Sequence, residues 1–270
     1  MDGASTDETI DVLKSYETVP EVRWWSEPDR GVVEAVNKGL GKAAGSIISI
    51  QSSDDLYLPG AISAAVAFLL EQDDVAVAYG DIEHIDENSR VVGKDILQPF
   101  DLKHYLGRLT YIPQPGAFFR AEMIRELGGW RPEVSYAADA DFWLRIVATR
   151  KAAHMPRLMA RYRFHSEQRD TQKAKISRDW EKCIRDLLTT TLLDRTSRAF
   201  AVMGIYLAKY RYTDESNWVL RTAYLYRAAI SNPMAVLNPA FPRRELFPGR
   251  RPIWRFLSRM KRLMGLPART

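Results

Sequence analysis

The sequence predicts an α/β fold, a sheet flanked by helices, followed by a purely helical extension. Three observations predict it. The first half alternates helical and extended patterns, apolar runs end in acidic turns, and beyond residue 170 only helical spacing remains. Residues 6–16 read as a helix with Asp7 and Glu8 in its first turn, 22–25 as a short strand and 32–40 as a short helix. Residues 46–50 form a buried strand that runs into Ser52-Ser53-Asp54-Asp55. Pro59 suits a first helical position, and Ile62, Val66 and Leu69 space out one apolar face. Residues 75–79 give the next strand, ending at Gly80-Asp81. In such sheets ligands gather beyond the carboxyl ends of the strands, where Asp54, Asp55 and Asp81 are expected.

The middle of the chain, residues 98–119, is irregular and aromatic and suits a loop over a substrate. A helix over 121–127 is stopped by Gly128-Gly129, which supply a left-handed C-terminal cap. Another helix covers 138–149, followed by a strand through 161–164. The expected domains are 1–168, a helical extension over 169–240 and a basic tail over 241–270.

With 270 residues, 46% hydrophobic and 27% charged, the chain has material for one large domain plus an appendage. The single cysteine, Cys183, excludes an internal disulfide and a Cys-rich zinc site, which points to a reducing, cytoplasmic location. The acidic, polar start does not have the pattern of a signal peptide. No stretch reaches the roughly 18 consecutive apolar residues of a membrane span. The net charge of +5 is uneven: residues 241–270 hold nine Lys or Arg against Glu245 alone. Nucleic-acid binding is not expected, because that excess is confined to the tail and no reader motif accompanies it. Ile253, Trp254, Leu257, Met260 and Met264 recur at helical spacing among Arg255, Arg259, Lys261 and Arg262. That pattern fits an in-plane helix on an anionic membrane as well as it fits a basic helix packed on protein.

Asp54-Asp55 is the sharpest local feature. Two carboxylates after an apolar strand suit a hard divalent cation, which prefers oxygen ligands and shares them with phosphates; a solvated turn also favours Asp and Ser. Asp139 and Asp141 lie in a helical pattern, Asp139 on one face with Trp143 and Asp141 on another with Arg145. Asp141 therefore reads as the structural partner of Arg145. Asp139 falls in the first turn, where the helix dipole favours a carboxylate, and it is either a general base or simple charge complementarity. His165 follows a strand as a candidate metal or phosphate ligand, and Asp2 opens a turn that caps a helix or meets a ribose or base.

The order of these pieces carries more than any one of them. DGASTDET, SEPDRGVVEAVNKGLGKAAG, IISIQSSDD, YGD, QPGAFFR, GGW, DADFWLR and YRFH occur in series. Together they resemble the family-2 glycosyltransferases of the GT-A fold, of the bacterial surface-polysaccharide type, over residues 2–165. The resemblance implies that Asp2, Asp29 and Arg30 flank the nucleotide base. It implies that Asp54-Asp55 is the metal motif for Mg²⁺ or Mn²⁺, with Asp55 the direct ligand and His165 a further one. Asp139 then matches the catalytic base, and Gln114 and Trp143 line a sugar. The implied reaction is inverting transfer from a nucleotide-diphosphate sugar, UDP-sugar favoured, to a saccharide or lipid-linked saccharide. Family members carry a strand and helix before the DGxSTD turn, so the resemblance implies that about 30 residues of a βαβ unit are missing here. Two other classes fit less well: a sugar-phosphate nucleotidyltransferase, which needs a Gly-rich basic phosphate loop, and a non-catalytic remnant.

Overall fold

In the computed structural model, residues 1–166, 168 and 171–246 are described. Contacts group the chain into two units, residues 1–100 with 112–171, and residues 101–111 with 172–270.

The first unit is built on a six-stranded mixed sheet. Its strands are β1 (Ile47–Ser49), β2 (Leu56–Tyr57), β3 (Val75–Ile85), β4 (Val91–Asp95), β5 (Ala117–Arg120) and β6 (Lys151–Arg163). They run in the order β1-β5-β3-β6-β2, with β4 also paired to β3. Only β3 and β6 are parallel; every other pairing is antiparallel. Strand alternation splits the core between two faces. Phe118 joins Ala61, Ala65, Leu69, Val75, Ala78, Met155 and Met159 on the side of α3 (Ala61–Glu71). Phe119 packs instead on α6 (Ala138–Val147), edge-on to Phe142 at 5.1 Å. Pairs of that geometry add about 0.5–1.5 kcal/mol beyond the area they bury.

Several expected elements shift. The buried stripe of α3 is Ala61, Ala65 and Leu69, and Ile62 is exposed, because small alanines bring the helix close to the sheet. That helix begins two residues after Pro59. The strand expected to end at Gly80-Asp81 runs on to Ile85. A Cβ on Gly80 would lie 2.2 Å from Met159 Cγ and 2.6 Å from the Arg157 carbonyl, so glycine serves close approach here rather than a turn. Asp81 is correspondingly a buried mid-strand residue, not a strand-end ligand. Its Oδ1 accepts the Leu97 N–H at 2.9 Å and lies 2.8 Å from His154 Nε2. The first helix, α1, shrinks to Thr9–Lys14, and the strand expected at 22–25 is reduced to one parallel bridge, Asp2 to Ser26. The helix α2 (Val32–Lys42) forms as expected, and α5 (Glu122–Leu127) ends at Gly128.

The second unit is helical: α4 (Leu102–Leu106), α7 (Lys173–Thr190), α8 (Arg195–Tyr212) and α9 (Trp218–Ser231), with short 3-10 turns at Pro233–Leu237 and Arg243–Leu246. The stretch 98–119, expected to be irregular, thus contains α4, a 3-10 turn Gln114–Gly116 and β5. Asp194 caps α8 by accepting the N–H groups of Thr196 (2.8 Å) and Ser197 (3.0 Å). Met203, Leu207, Tyr210, Leu225, Ala228, Ala235, Phe241 and Leu246 form its core. Among the described residues no helix is long and apolar enough to cross a membrane. The apolar pattern over 253–264 lies outside the described residues.

Candidate functional site

The chain start lies alongside residues 25–27. The Asp2 N–H donates to the Trp25 carbonyl (2.9 Å), and Glu27 N–H donates back to Asp2 (3.1 Å). This places the buried Asp2 carboxylate where Ser26 Oγ (2.6 Å), Ser5 Oγ (2.5 Å) and Ser5 N–H (3.0 Å) all donate to it. Those bonds, Ser26 foremost and then Ser5, hold its pKa down at about 2 from an ordinary 3.8. Asp29 sits against the same turn: a Cβ on Gly3 would lie 2.7 Å from its Oδ2. Its Oδ1 accepts the Gly31 N–H at 2.7 Å, just ahead of α2. Arg30 is exposed and pairs with Glu34 at 2.6 Å, which leaves it on the rim of a cavity of about 820 Å³. Asn37 and Lys38 line one side of that cavity and Pro132, Ser135 and Tyr136 the other. Asp2, Asp29 and Arg30 are therefore gathered at one end of α2.

The loop after β1 carries the acidic pair. Asp54 Oδ2 lies 3.1 Å from His165 Nε2, with both side chains about one-third exposed at 35% and 31%. Asp55 is turned inward, and its Oδ1 accepts the backbone N–H of Arg163 at 2.9 Å. Arg163 is the hub here. Its Nε donates to the Asp54 carbonyl (2.8 Å), and one terminal nitrogen reaches the Asp86 carbonyl and Ser89 Oγ, each at 2.9 Å. One guanidinium thus ties the acidic loop to the β3–β4 turn. Gln114 supports the loop from the other direction, donating to the Ile50 carbonyl and lying 3.5 Å from Ser52 Oγ. Asp54, Asp55, His165 and Gln114 are brought together in this way. Among the described residues no group of three His, Cys, Asp or Glu side chains converges as a ready-made metal cluster.

The second acidic pair opens α6. Asp141 is 1% exposed and held by two arginines: Arg131 bonds both its oxygens (2.6 and 3.0 Å) and Arg145 Nε donates at 2.8 Å. Arg145 also donates to the carbonyls of Leu127 (2.6 Å) and Gly129 (2.7 Å). Asp141 is the partner of Arg145, as its spacing predicts, and Arg131 is an addition. Asp139, two residues earlier, is half-buried in the first turn. Trp143, expected to line a sugar, is 1% exposed and packs on Phe119 (5.6 Å) and Phe142 (5.3 Å), so its ring is used in the core.

Three residues at these positions are not singled out as site residues by the sequence. Arg163 acts on Asp54, Asp86 and Ser89, far along the chain, and Arg131 on the nearby Asp141. Asn37 spans 93 residues to Trp130, donating to its carbonyl and accepting its N–H, both at 2.8 Å. A Cβ on Gly129 would stand 2.1 Å from Asn37 Oδ1, so only glycine leaves room for that clamp. The clamp fixes the GGW turn that leads to α6.

Comparison with known proteins adds an independent line. The model of glycosyl transferase family 2 matches residues 1–128. A glycosyltransferase of Mycobacterium tuberculosis is 30% identical over 150 residues, 54% of this chain and 55% of its own length. A PGL/p-HBAD biosynthesis glycosyltransferase of Mycobacterium bovis is 28% identical over 165 residues, 60% of each chain. The chain thus matches little more than half the length of these curated relatives. Among solved structures, Staphylococcus aureus TarS 1–349 in complex with UDP-GlcNAc superposes with TM-score 0.62 at 13% identity, covering 99% of this chain and 82% of that one. The mannosyltransferase PcManGT of Pyrobaculum calidifontis, in complex with GDP-Man and Mn²⁺, gives 0.56 at 17% identity, covering 97% and 69%. At these identities the two structures establish the shared GT-A architecture.

Proposed function

We propose, from the premise that the chain belongs to the family-2 glycosyltransferases, that it moves a sugar from a nucleotide-diphosphate donor to a saccharide or lipid-linked saccharide acceptor. The carrying observation is the Asp54–His165 pair, held 3.1 Å apart at a strand end by the Arg163 hub. A carboxylate from the loop after β1 and an imidazole just after β6 suit a divalent cation that completes its shell with diphosphate oxygens. Asp54 and His165 would hold Mg²⁺ or Mn²⁺ in the arrangement seen, and Asp55 would join them by turning from the Arg163 N–H. The cation supplies Lewis-acid stabilisation of the departing diphosphate.

This chain's own residues supply the remainder. Asp29 and the start of α2 border the nucleotide end, beside an Asp2 that its three donors keep ionised down to about pH 2. Asp139, on the first turn of a helix braced by the Asp141 network, accepts the proton of the acceptor hydroxyl. The acceptor oxygen then bonds to the anomeric carbon as the bond from that carbon to the diphosphate oxygen breaks, which inverts the configuration. UDP is the favoured nucleotide, a reading to which the UDP-GlcNAc complex of the S. aureus neighbour lends support.

Calorimetric titration of UDP with Mn²⁺ into the full chain tests the reading. Metal-dependent binding is expected, at least about tenfold weaker in Asp54→Asn and His165→Ala at unchanged melting temperature, since losing a charged contact costs about 1.5–3 kcal/mol. Equal binding with and without metal, or in both variants, removes the proposed donor site.

A further inference from the structure

The outer face of α9 is apolar where solvent should make it polar. Leu225 and Ala228 turn inward to the core of the second unit. On the opposite side, Val219, Ala223, Tyr226 and Ile230 fall at i, i+4, i+7 and i+11, one stripe of the helix, and all four are exposed. Val219 is 60% and Ile230 75% exposed, and Met234 in the following turn is 72% exposed. Trp218, at the start of the helix, is 70% exposed. A helix apolar on both sides calls for a second covering surface.

Charge says which one. No acidic residue lies on α9, whereas Arg227 does, and so does Arg221, which pairs with Glu215 and Glu245 at 3.8 Å each. The Tyr226 hydroxyl, on the exposed stripe, donates to the Leu246 carbonyl at 2.8 Å, so the chain passes residue 246 at the edge of this face. The 24 residues that follow carry seven Arg or Lys and no Asp or Glu. An apolar stripe with an aromatic at its end, on a helix without acids and in a sequence that continues basic, matches a bilayer interface rich in anionic headgroups.

We propose that α9 docks in the plane of an anionic membrane through Val219, Ala223, Tyr226 and Ile230, with the basic segment after Leu246 adding electrostatic attraction. The proposal is independent of the reaction. It predicts that the full chain floats with vesicles of phosphatidylglycerol and phosphatidylcholine, and more weakly with phosphatidylcholine alone or at raised salt. The double variant Val219→Ser/Ile230→Ser is expected to weaken flotation at least about tenfold with unchanged circular dichroism and melting temperature. Ile230→Trp, which adds an interfacial aromatic at the same place, is expected to tighten it. Absence of flotation by the parent chain overturns the proposal, as does equal flotation by the Ser variant or no gain with Trp. A Ser variant that instead converts a dimer to a monomer in velocity sedimentation overturns it in favour of a second copy of this chain.

Discussion

Two pairs of carboxylates frame the candidate site, and they are built differently. In the loop pair, Asp54 and Asp55 are adjacent and diverge: Asp55 turns in to a backbone N–H, and Asp54 turns out to His165. In the helix pair, Asp139 and Asp141 are two residues apart, about 200° around the axis, so Asp141 reaches two guanidinium groups while Asp139 stays near the surface. In each pair one residue anchors its surroundings, Asp55 through the Arg163 N–H and Asp141 through two guanidinium groups. What differs is the partner. A backbone N–H is a neutral donor fixed by the strand, whereas two partly buried arginines depend on the carboxylate for charge balance.

That contrast can be broken by substitution. The largest effect is expected from Asp139→Asn: transfer to acceptor falls about 10²–10⁴-fold, the usual worth of a general base. Stability should stay within about 0.5 kcal/mol of the parent. A steady-state assay paired with thermal melting reads both, and retained turnover would remove Asp139 as the base. Asp141→Ala is expected to do the converse, costing about 3 kcal/mol of stability by stranding Arg131 and Arg145. Chemical denaturation measures it; a loss below about 1 kcal/mol would show that solvent already screens the network.

Smaller changes sharpen the picture. Asn37→Ala removes both bonds to the Trp130 backbone and should cost about 1–3 kcal/mol, with faster amide exchange at Trp130 as its specific signature. Unchanged exchange there would mean that packing alone holds the turn. The smallest effect concerns Asp2. A carboxyl with a depressed folded pKa contributes stability above its ordinary value of 3.8 and loses it as pH falls through about 2. Ser26→Ala, deleting the foremost donor, should move the Asp2 titration toward 3.8 in a carbon-detected NMR experiment, and a titration left in place would assign the shift to Ser5.

Much of this was legible in residue pattern, and the exceptions have physical reasons. The α/β class followed from alternating periods, and the Asp141–Arg145 bond from i,i+4 spacing. Gly80-Asp81 misled because glycine followed by aspartate normally marks a turn. Here the glycine admits Met159 and the aspartate is satisfied inside the sheet by Leu97 and His154. Trp143 shares a helix face with Asp139 in projection, but projection does not say that this tryptophan will meet Phe119 of β5. Long-range ties such as Arg163 to Ser89 and Asn37 to Trp130 leave no local trace, since Arg163 and Ser89 are ordinary polar residues in their own segments and Asn37 bonds only the backbone of Trp130. The apolar outer stripe of α9 was hidden for a different reason. Periodicity reveals that apolar positions recur, and only the fold reveals which of them remain uncovered.

The irregular pairing of β3 with β6 bears on how the gene can change length. Gly80 pairs with Met155 and Ile82 with Ala160, so two steps along β3 match five along β6, a slip of three residues. An odd slip exchanges the two faces of β6 beyond it, the half that ends in Arg163. Losing one codon between those for Met155 and Ala160 would therefore bring the neighbour of Arg163 into its place and release both the acidic loop and the β3–β4 turn. Single-residue gaps are expected to be excluded from this stretch in active homologues, while paired ones preserve the alternation.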